Sequence, residues 1–189
     1  MYAISLGDDG AELCPLEPWQ AEEFLAHVDR GREFIGQFIR LSDVVTDLES
    51  SRAFLQTYAE RTAADTGRIY GIRTDGKLVG AVIFRQMDVE QGTAEVGCWL
   101  EPSAAGRGLV TRAARRIIDW AVEERGIRRV EWWAAAGNEP SVAVARRLGM
   151  KRDGVLRESA LYRGRRQDQE VWSVLASEWR TERSAGAGA

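Results

Sequence analysis

Two glycines, Gly106 and Gly108, flank an arginine directly before a basic, alanine-rich segment. The residues just upstream, "TAEVGCWL", are typical of a β-strand, so the local order is strand, glycine turn, helix. Glycine adopts backbone angles that other residues avoid and lets a ligand approach the main chain closely. A helix start adds unpaired N–H groups and the positive end of the helix dipole. This combination predicts an anion site suited to phosphate.

Two common nucleotide motifs do not explain this turn. A P-loop requires G-x-x-x-x-G-K-[ST], and the chain contains no such string. A dinucleotide fingerprint requires a small third residue, where Thr111 stands, and it follows the first strand of a parallel unit. Here the turn follows strands that the sequence predicts to be antiparallel. The local pattern alone therefore leaves the identity of the phosphate open.

Three further polar residues are candidates for chemistry. Glu95 lies on the strand before the turn. It is a candidate general base, and the alternative is a surface charge paired with an arginine. Asn138 and Ser141 precede and open a short helix with a proline, a pattern that fits either ligand contact or ordinary helix capping. The chain has a single histidine, His27, and contains no G-x-S-x-G motif that would support a catalytic triad.

The elements that must position these residues follow from hydrophobic periodicity and turn signals. We predict a strand over 11–18, helices over 19–30 and 46–65, and a hairpin over 68–87 around Asp75 and Gly76. Thr46 and Glu49 fit a capping box for the second helix. A strand over 93–100, a helix over 111–124, a strand over 128–135, a helix over 140–149 and two strands over 153–179 follow. This α/β order predicts a mixed, mostly antiparallel, seven-stranded sheet with helices on both faces.

The bulk properties place these elements in one domain. The chain has 189 residues, 44% of them hydrophobic, and a net charge of −3. We predict a single domain over 1–180 and a disordered tail over 181–189. The balanced charge argues against a nucleic-acid partner, and no apolar run approaches the ~20 residues of a membrane helix. The N-terminus does not have the pattern of a signal peptide, and Cys14 and Cys98 lack metal-ligand spacing, so we expect a cytoplasmic protein with reduced thiols and no metal site.

An ordered set of segments resembles the GCN5-related N-acetyltransferase (GNAT) superfamily. "TAEVGCWLEPSAAGRGLVTRAARRII" resembles its fourth strand, pyrophosphate turn and third helix. "NEPSVAVARRLGMKRDGVLRES" resembles its Asn-x-x-Ser segment, and "YRGRRQDQEVWSVLASEW" resembles the closing strands of the RimJ/RimL branch, which acetylates protein N-termini, including those of ribosomal proteins. The resemblance runs from about Cys14 to Trp179. Ala105 and Val110 depart from the usual Gln or Arg and the usual small residue of the turn.

The resemblance implies the GNAT fold, in which the fourth and fifth strands splay apart to admit acetyl-coenzyme A, with a local bulge expected at Gly97. It implies that the pyrophosphate binds the backbone amides of residues 107–111. The implied contacts to the cosubstrate are Cys98, Trp99, Leu100, Gly106, Arg107, Gly108, Leu109, Val110, Thr111 and Asn138.

The resemblance also implies catalytic roles. Glu95 is expected to accept the amine proton, through water. Many superfamily members place a tyrosine where Ala145 stands, so Ser141 is expected to serve the leaving sulfur instead. The favoured acceptor is the N-terminal α-amino group of a protein, and a ribosomal protein is one candidate. A small amine such as an antibiotic, polyamine or amino-acid derivative is an alternative acceptor, and a catalytically silent acetyl-coenzyme A-binding module is a second alternative. A homodimer is expected by analogy.

Overall fold

The computed structural model describes residues 3–7 and 9–186, with side chains to residue 183. Within these residues the strands are β1 (Ile4–Ser5), β2 (Ala11–Pro15), β3 (Arg68–Thr74), β4 (Lys77–Asp88), β5 (Thr93–Leu100), β6 (Arg129–Ala135), β7 (Lys151–Tyr162) and β8 (Arg165–Leu175). The α-helices are α1 (Ala21–Ile35), α2 (Leu41–Val44), α3 (Leu48–Ala63), α4 (Leu109–Glu124), α5 (Glu139–Arg147) and α6 (Ala176–Gly186).

The described strands form one eight-stranded sheet in the order β1-β2-β3-β4-β5-β6-β8-β7. All neighbours are antiparallel except β5 and β6, which the crossover through α4 makes parallel. This confirms the predicted mixed, mostly antiparallel α/β sheet. The count of seven strands was one too low, because β1 has only two residues and pairs Ile4 with Leu13. Two residues are too short to show a periodicity in the sequence.

Helices cover both faces of the sheet, as predicted. On one face α4 packs its apolar side against strand residues such as Phe84, Val96 and Trp132. On the other face α1 and α3 pack Phe24 and Leu55 against Ile83 and other strand residues. We call these the α4 face and the α1 face. Because successive residues of a strand point to opposite faces, each central strand contributes to both cores.

Strands β5 and β6 pair over only half of their length. The ladder joins Thr93–Val96 to Arg129–Trp132 and then stops. Beyond it, β5 remains paired with β4, and β6 remains paired with β8. The two strands therefore diverge, as predicted, and we call the space between residues 97–100 and 133–135 the interstrand gap.

The sheet is irregular beside this gap, but not at Gly97, where we expected the bulge. The extra residue is Arg85 on β4, between the pairs Phe84–Val96 and Gln86–Glu95. Gly97 is close to this bulge, since a Cβ at Gly97 would lie 3.3 Å from Cδ of Arg85. The bulge was misplaced because a glycine in a strand indicates close approach of a neighbour as readily as an extra residue.

Helices α1 and α3 differ from their predicted boundaries. Helix α1 continues to Ile35, five residues beyond the predicted end. Helix α3 is capped by Asp47, whose carboxylate accepts from the Ser50 amide at 2.8 Å, rather than by Thr46 and Glu49. Asp47 places its side-chain oxygen one residue nearer the first turn, where the unpaired N–H groups lie.

The C-terminal segment also differs. Strand β8 ends at Leu175, and residues 176–186 form α6 instead of the end of a strand and a disordered tail. Residues 187–189 of the predicted tail lie outside the described residues. Helix α6 forms because it buries Trp179 against α4, where the indole N–H donates to Asp119 at 2.8 Å. A short stretch with one large apolar residue does not distinguish strand from helix in the sequence.

Candidate active site

The glycine turn has the backbone geometry that the sequence predicted. Gly106 and Gly108 have φ angles of 79° and 70°, in the left-handed region that favours glycine. A Cβ at either position would meet no atom within 4 Å, so the space over the turn is open. Helix α4 begins at Leu109, two residues before the predicted start, with Gly108 as its N-cap.

The start of α4 carries a set of unpaired backbone donors. Among the described residues, no main-chain or side-chain group accepts from the N–H groups of residues 107–111. The first paired amide is that of Arg112, which donates to the Gly108 carbonyl at 3.0 Å. Five consecutive free donors at the positive end of a 16-residue helix fit a pyrophosphate.

The first two side chains of α4 are directed into the core and away from the turn. Leu109 and Val110 are both buried in the core of the α4 face. The valine side chain therefore adds its bulk to the core and leaves the turn free. Both residues can reach a ligand only through their backbone, whereas Thr111 is half-buried at the edge.

Arginines beside the turn give it positive charge. Arg112 forms a two-pronged ion pair with Asp9, at 2.9 and 2.7 Å, and Arg107 lies 3.8 Å from the same carboxylate. The Arg112 guanidinium lowers the pKa of Asp9 to about 2. The Arg107 side chain is exposed, which leaves it able to turn toward a phosphate. Asp9 thereby joins the β1–β2 turn to the start of α4.

The end of β5 offers a free strand edge to the interstrand gap. Cys98 and Leu100 pack toward the α4 face, while the Trp99 side chain is buried in the α1 face. Trp99 can therefore contact a ligand in the gap only through its backbone. Burial raises the pKa of the Cys98 thiol to about 12, so it stays protonated at neutral pH. This makes Cys98 a poor nucleophile and is unfavourable to an acyl-cysteine intermediate.

Glu95 lies at the closed end of the gap. Its carboxylate is half-buried, 3.3 Å from Nε of Arg85, and it stands opposite Glu131 of β6 in the parallel ladder. Burial raises its pKa above the usual range; Arg85 opposes this shift, and Glu131 adds to it. Glu95 thus has the arginine partner of a structural charge and also the raised pKa that suits a general base.

Asn138 and Ser141 do cap α5. The side-chain oxygen of Asn138 accepts from the Ser141 amide at 3.2 Å. The Ser141 hydroxyl has a separate contact, because it accepts from the indole N–H of Trp132 at 2.9 Å. Among the described residues, no group accepts the Ser141 hydroxyl proton. Capping thus uses the Ser141 backbone and leaves its O–H free to donate.

The fold distributes the predicted site residues between the two faces. The glycine turn and Ser141 belong to elements of the α4 face, whereas Glu95 alternates with Ala94 and Val96 and so points to the α1 face. The interstrand gap is where these two groups of residues meet. An arrangement of this kind lets two substrates approach from opposite sides of a sheet.

The far end of the gap is bridged by the β7–β8 hairpin. The Tyr162 hydroxyl donates to the Gly36 carbonyl at 2.5 Å and lies 3.1 Å from the Ile39 carbonyl. Next to it, Arg163 pairs with Asp43 at 3.2 Å. We call these bonds the hairpin contact. It joins the turn between the last two strands to α2 and to the segment that precedes it.

Sequence analysis missed one polar cluster, in which the buried residues His27, Trp99 and Glu101 meet the exposed Arg30. Nothing in the spacing of these residues indicates that they meet, because 71 residues separate Arg30 from Glu101. The one available signal was a single histidine on an otherwise amphipathic helix.

Residues 3–7 and 9–186 show neither a cluster of metal ligands nor a helix suited to crossing a membrane. These residues contain no group of three or more His, Cys, Asp or Glu side chains arranged to hold a metal ion. None of the helices that they form is long and apolar enough to cross a membrane.

Comparison with known proteins agrees with this geometry. Residues 12–151 match the family model described as "Acetyltransferase (GNAT) domain". The chain is 32% identical over 166 residues to "Probable N-acetyltransferase YjcK" of Bacillus subtilis, covering 85% of this chain and 91% of the relative. It is 29% identical over 173 residues to "Putative ribosomal N-acetyltransferase YdaF" of the same species, covering 89% and 92%.

Among solved structures, the fold is similar to that of RimL, a ribosomal L7/L12 α-N-protein acetyltransferase in complex with coenzyme A. The TM-score is 0.87 at 20% identity, over 92% of this chain and 97% of that chain. The family-model match covers well over half of the chain, and the solved fold has the same mixed sheet. This chain therefore belongs to the GNAT family of N-acetyltransferases and uses acetyl-coenzyme A as its cosubstrate.

Proposed function

We propose that this enzyme transfers the acetyl group to the N-terminal α-amino group of a protein, by direct attack within a ternary complex. The observation that carries the proposal is the interstrand gap, with free backbone donors on the α4 side and a carboxylate of raised pKa on the α1 side. A covalent acyl-enzyme is unnecessary when both substrates meet in the gap.

The cosubstrate side of the site follows from the glycine turn. Acetyl-coenzyme A supplies an acyl group activated as a thioester. The amides of residues 107–111 bind its pyrophosphate, and Arg107 adds a positive charge. The free edge of β5 at residues 98–100 offers backbone groups to the pantetheine arm and to the thioester oxygen, which gains negative charge during attack. Asn138 lies at the other side of the gap, at the start of α5.

The residues present, together with water, account for the bonds and protons of the transfer step. The neutral amine nitrogen attacks the carbonyl carbon, the C–N bond forms, and the C–S bond breaks. Glu95 accepts the proton that the nitrogen loses, through a water molecule. The departing sulfur takes the electron pair of the C–S bond and receives a hydrogen bond from the Ser141 hydroxyl. The products are an N-acetyl amide and coenzyme A, which is protonated from solvent.

Two arguments favour an α-amino group as the acceptor. An α-amino group has a pKa of about 7.7–8.0, against about 10.4 for lysine, so far more of it is neutral at pH 7. The hairpin contact ties the β7–β8 turn to the segment after α1, and we expect this to restrict access for a lysine on a folded surface more than for an extended chain end. The relatives named for ribosomal substrates support a ribosomal protein as the acceptor. A cytoplasmic location and a homodimer are part of the same proposal.

The decisive experiment measures free-thiol release from acetyl-coenzyme A with a matched panel of acceptors. Peptides beginning with Ser, Ala, Met or Thr are compared with the same peptides carrying a blocked N-terminus and one internal lysine. Spermidine and an aminoglycoside represent small amines. We expect release with the free N-termini alone. Release only with the small amines would overturn the proposed acceptor, and coenzyme binding without release from any acceptor would favour the silent module.

A further inference from the structure

His27, Trp99 and Glu101 form a buried hydrogen-bonded network, which Arg30 joins from its exposed edge. Nδ1 of His27 lies 2.7 Å from Oε1 of Glu101, and the same oxygen accepts from Nη2 of Arg30 at 2.7 Å. The indole N–H of Trp99 donates to Nε2 of His27 at 3.1 Å. His27 is completely buried, and Glu101 is 2% exposed. We call these residues the His27–Glu101 network.

The geometry determines where the proton of His27 lies. An indole N–H can only donate, so Nε2 of His27 must accept and carries no proton. The ring proton is therefore on Nδ1, and it is donated to Glu101. The carboxylate is held by two donors, one on His27 and one on Arg30, and the ring is held on both of its nitrogens.

The network binds one particular stretch of chain. Trp99 lies at the end of β5 and Glu101 directly follows this strand. This end of β5 has a strand partner on one side only, because β6 has already diverged. Their anchors are on α1, and Arg30 also donates to the Leu78 carbonyl of β4 at 2.8 Å. The turn at Pro102–Ala104 and then Gly106 follow directly.

A strand that is paired on one side lacks half of the bonds that would fix its position. The network provides the missing restraint from the α1 face while leaving the β6-facing edge free. Both groups of proposed coenzyme contacts, the β5 edge and the glycine turn, extend from this anchored segment. A shift of about 1 Å in such a segment is large compared with the tolerance of a positioned ligand.

We propose that His27 and Glu101 are positioning residues for acetyl-coenzyme A, which hold the end of β5 and the glycine turn in the geometry that binds the coenzyme. The inference rests on the coenzyme site described under Proposed function, and it does not depend on the identity of the acceptor. Neither residue touches the coenzyme; both act through Trp99 and the backbone of residues 99–106.

The test is the dissociation constant of acetyl-coenzyme A, measured by calorimetry on the folded protein. Glu101→Gln removes the negative charge that strengthens the bonds from His27 and Arg30, and we expect it to raise Kd on the order of tenfold. The matched control is Glu23→Gln, because Glu23 also joins α1 to the sheet, through Arg73 at 2.6 and 2.5 Å, but has no bond to β5. The control is expected to lower the melting temperature and leave Kd unchanged.

Further variants keep the result decisive. Trp99→Phe retains the ring and removes only the N–H donor, so it is expected to raise Kd by a few fold and serves if Glu101→Gln does not fold. An unchanged Kd in folded Glu101→Gln and Trp99→Phe would overturn the inference, as would an equal rise in Glu23→Gln. Gly108→Glu separates the two proposals: if it abolishes binding while Glu101→Gln does not weaken it, the coenzyme site stands and the positioning role fails. If Gly108→Glu has no effect, the coenzyme site itself is wrong.

Discussion

At the scale of single residues, the site depends on backbone groups more than on side chains. The free amides of residues 107–111 and the open edge of β5 carry no side-chain signature, yet they make up most of the proposed coenzyme contacts. The individual residues that matter most keep the space over the turn open or accept a proton. Gly108 and Glu95 represent these two functions, and each leads to a test.

The first prediction concerns Gly108. Gly108→Glu is expected to abolish acetyl-coenzyme A binding, because it places a bulky negative side chain in the phosphate space. Gly126→Glu is a matched control: Gly126 follows the other end of α4, has a φ of 69°, and has equally open surroundings. Calorimetry and circular dichroism should show both variants folded and only Gly126→Glu binding. Retained binding in Gly108→Glu would remove the turn from the site.

The second prediction concerns Glu95 as a base. Glu95→Gln is expected to lower kcat on the order of 10²-fold with little change in coenzyme affinity. A base works only when ionised, so the wild-type rate should fall as the pH drops through the raised pKa of Glu95, above the range of an ordinary carboxyl. Because the charge of Glu131 helps to raise that pKa, Glu131→Gln should move the acidic limb of the pH–rate profile to lower pH.

Two results would contradict this assignment. A pH profile of Glu131→Gln that superimposes on the wild type would mean that Glu95 does not control the acidic limb. Undiminished kcat in Glu95→Gln would leave this carboxylate as a partner of Arg85 and nothing more.

At the scale of elements, three segments distant in sequence enclose one gap. The ladder between β5 and β6 ends at Val96 and Trp132, α1 anchors the end of β5, and the β7–β8 hairpin reaches the segment after α1. The parallel pairing follows from chain order, since a helix connects β5 to β6. The point of divergence does not, because it depends on what packs against each strand.

The third prediction tests the hairpin contact. Tyr162→Phe removes the hydroxyl that donates to Gly36 and leaves that buried carbonyl short of a donor, which costs about 1 kcal/mol. We expect faster amide exchange in residues 160–166 and a several-fold higher KM for peptide acceptors, with the Kd of acetyl-coenzyme A unchanged. The exchange is measured by mass spectrometry and KM by thiol release. A change in coenzyme Kd with unchanged peptide KM would mean that the hairpin contributes to coenzyme binding rather than to acceptor binding.

At the scale of the whole molecule, a single sheet separates two cores, and the substrates are proposed to meet where its ladder opens. The α1 face contains the buried histidine, whose charge state affects overall stability. Burial lowers the pKa of His27 below its usual value, although the neighbouring Glu101 opposes this shift; Arg30 and Glu23 also face it. Burial likewise disfavours the charged form of Glu101, but the bonds from Arg30 and His27 outweigh it and hold its pKa below the usual range.

The fourth prediction follows from that shift. With a folded pKa below 6.5, the unfolded chain binds a proton to His27 before the native protein does. The free energy of unfolding should therefore fall as the pH drops below about 6.5, by at most about 1.4 kcal/mol per pH unit from this group. Denaturant titrations at several pH values measure this, and the Glu95→Gln background removes a carboxyl whose raised pKa acts with the opposite sign.

The protein offers a direct check, since it contains one histidine. Its imidazole resonances in NMR should titrate below 6.5 and show the tautomer with the proton on Nδ1. A titration midpoint at or above 6.5 would contradict the stability prediction, and a neutral ring with its proton on Nε2 would contradict the assigned tautomer.

Much of the architecture could be predicted from the sequence, because it depends on local chemistry. Asp75 and Gly76 both adopt positive φ in the predicted hairpin turn, and the glycine turn starts α4. Gly149, the predicted C-cap of α5, has positive φ and directly follows the actual C-cap, Leu148. These features require particular residues at particular positions. The boundaries of α1 and α6 could not be predicted, because burial of residues such as Trp179 against distant helices decided them.

The sequence by itself therefore determined the seven main strands, the glycine turn, the charge at Glu95 and the family. Only the tertiary structure decided which face each of these residues meets, where β5 and β6 part, and that His27, Trp99 and Glu101 come together. The reason is physical: backbone angles and caps depend on a few neighbouring residues, whereas a pKa or a buried hydrogen bond depends on atoms brought close by packing across the whole chain.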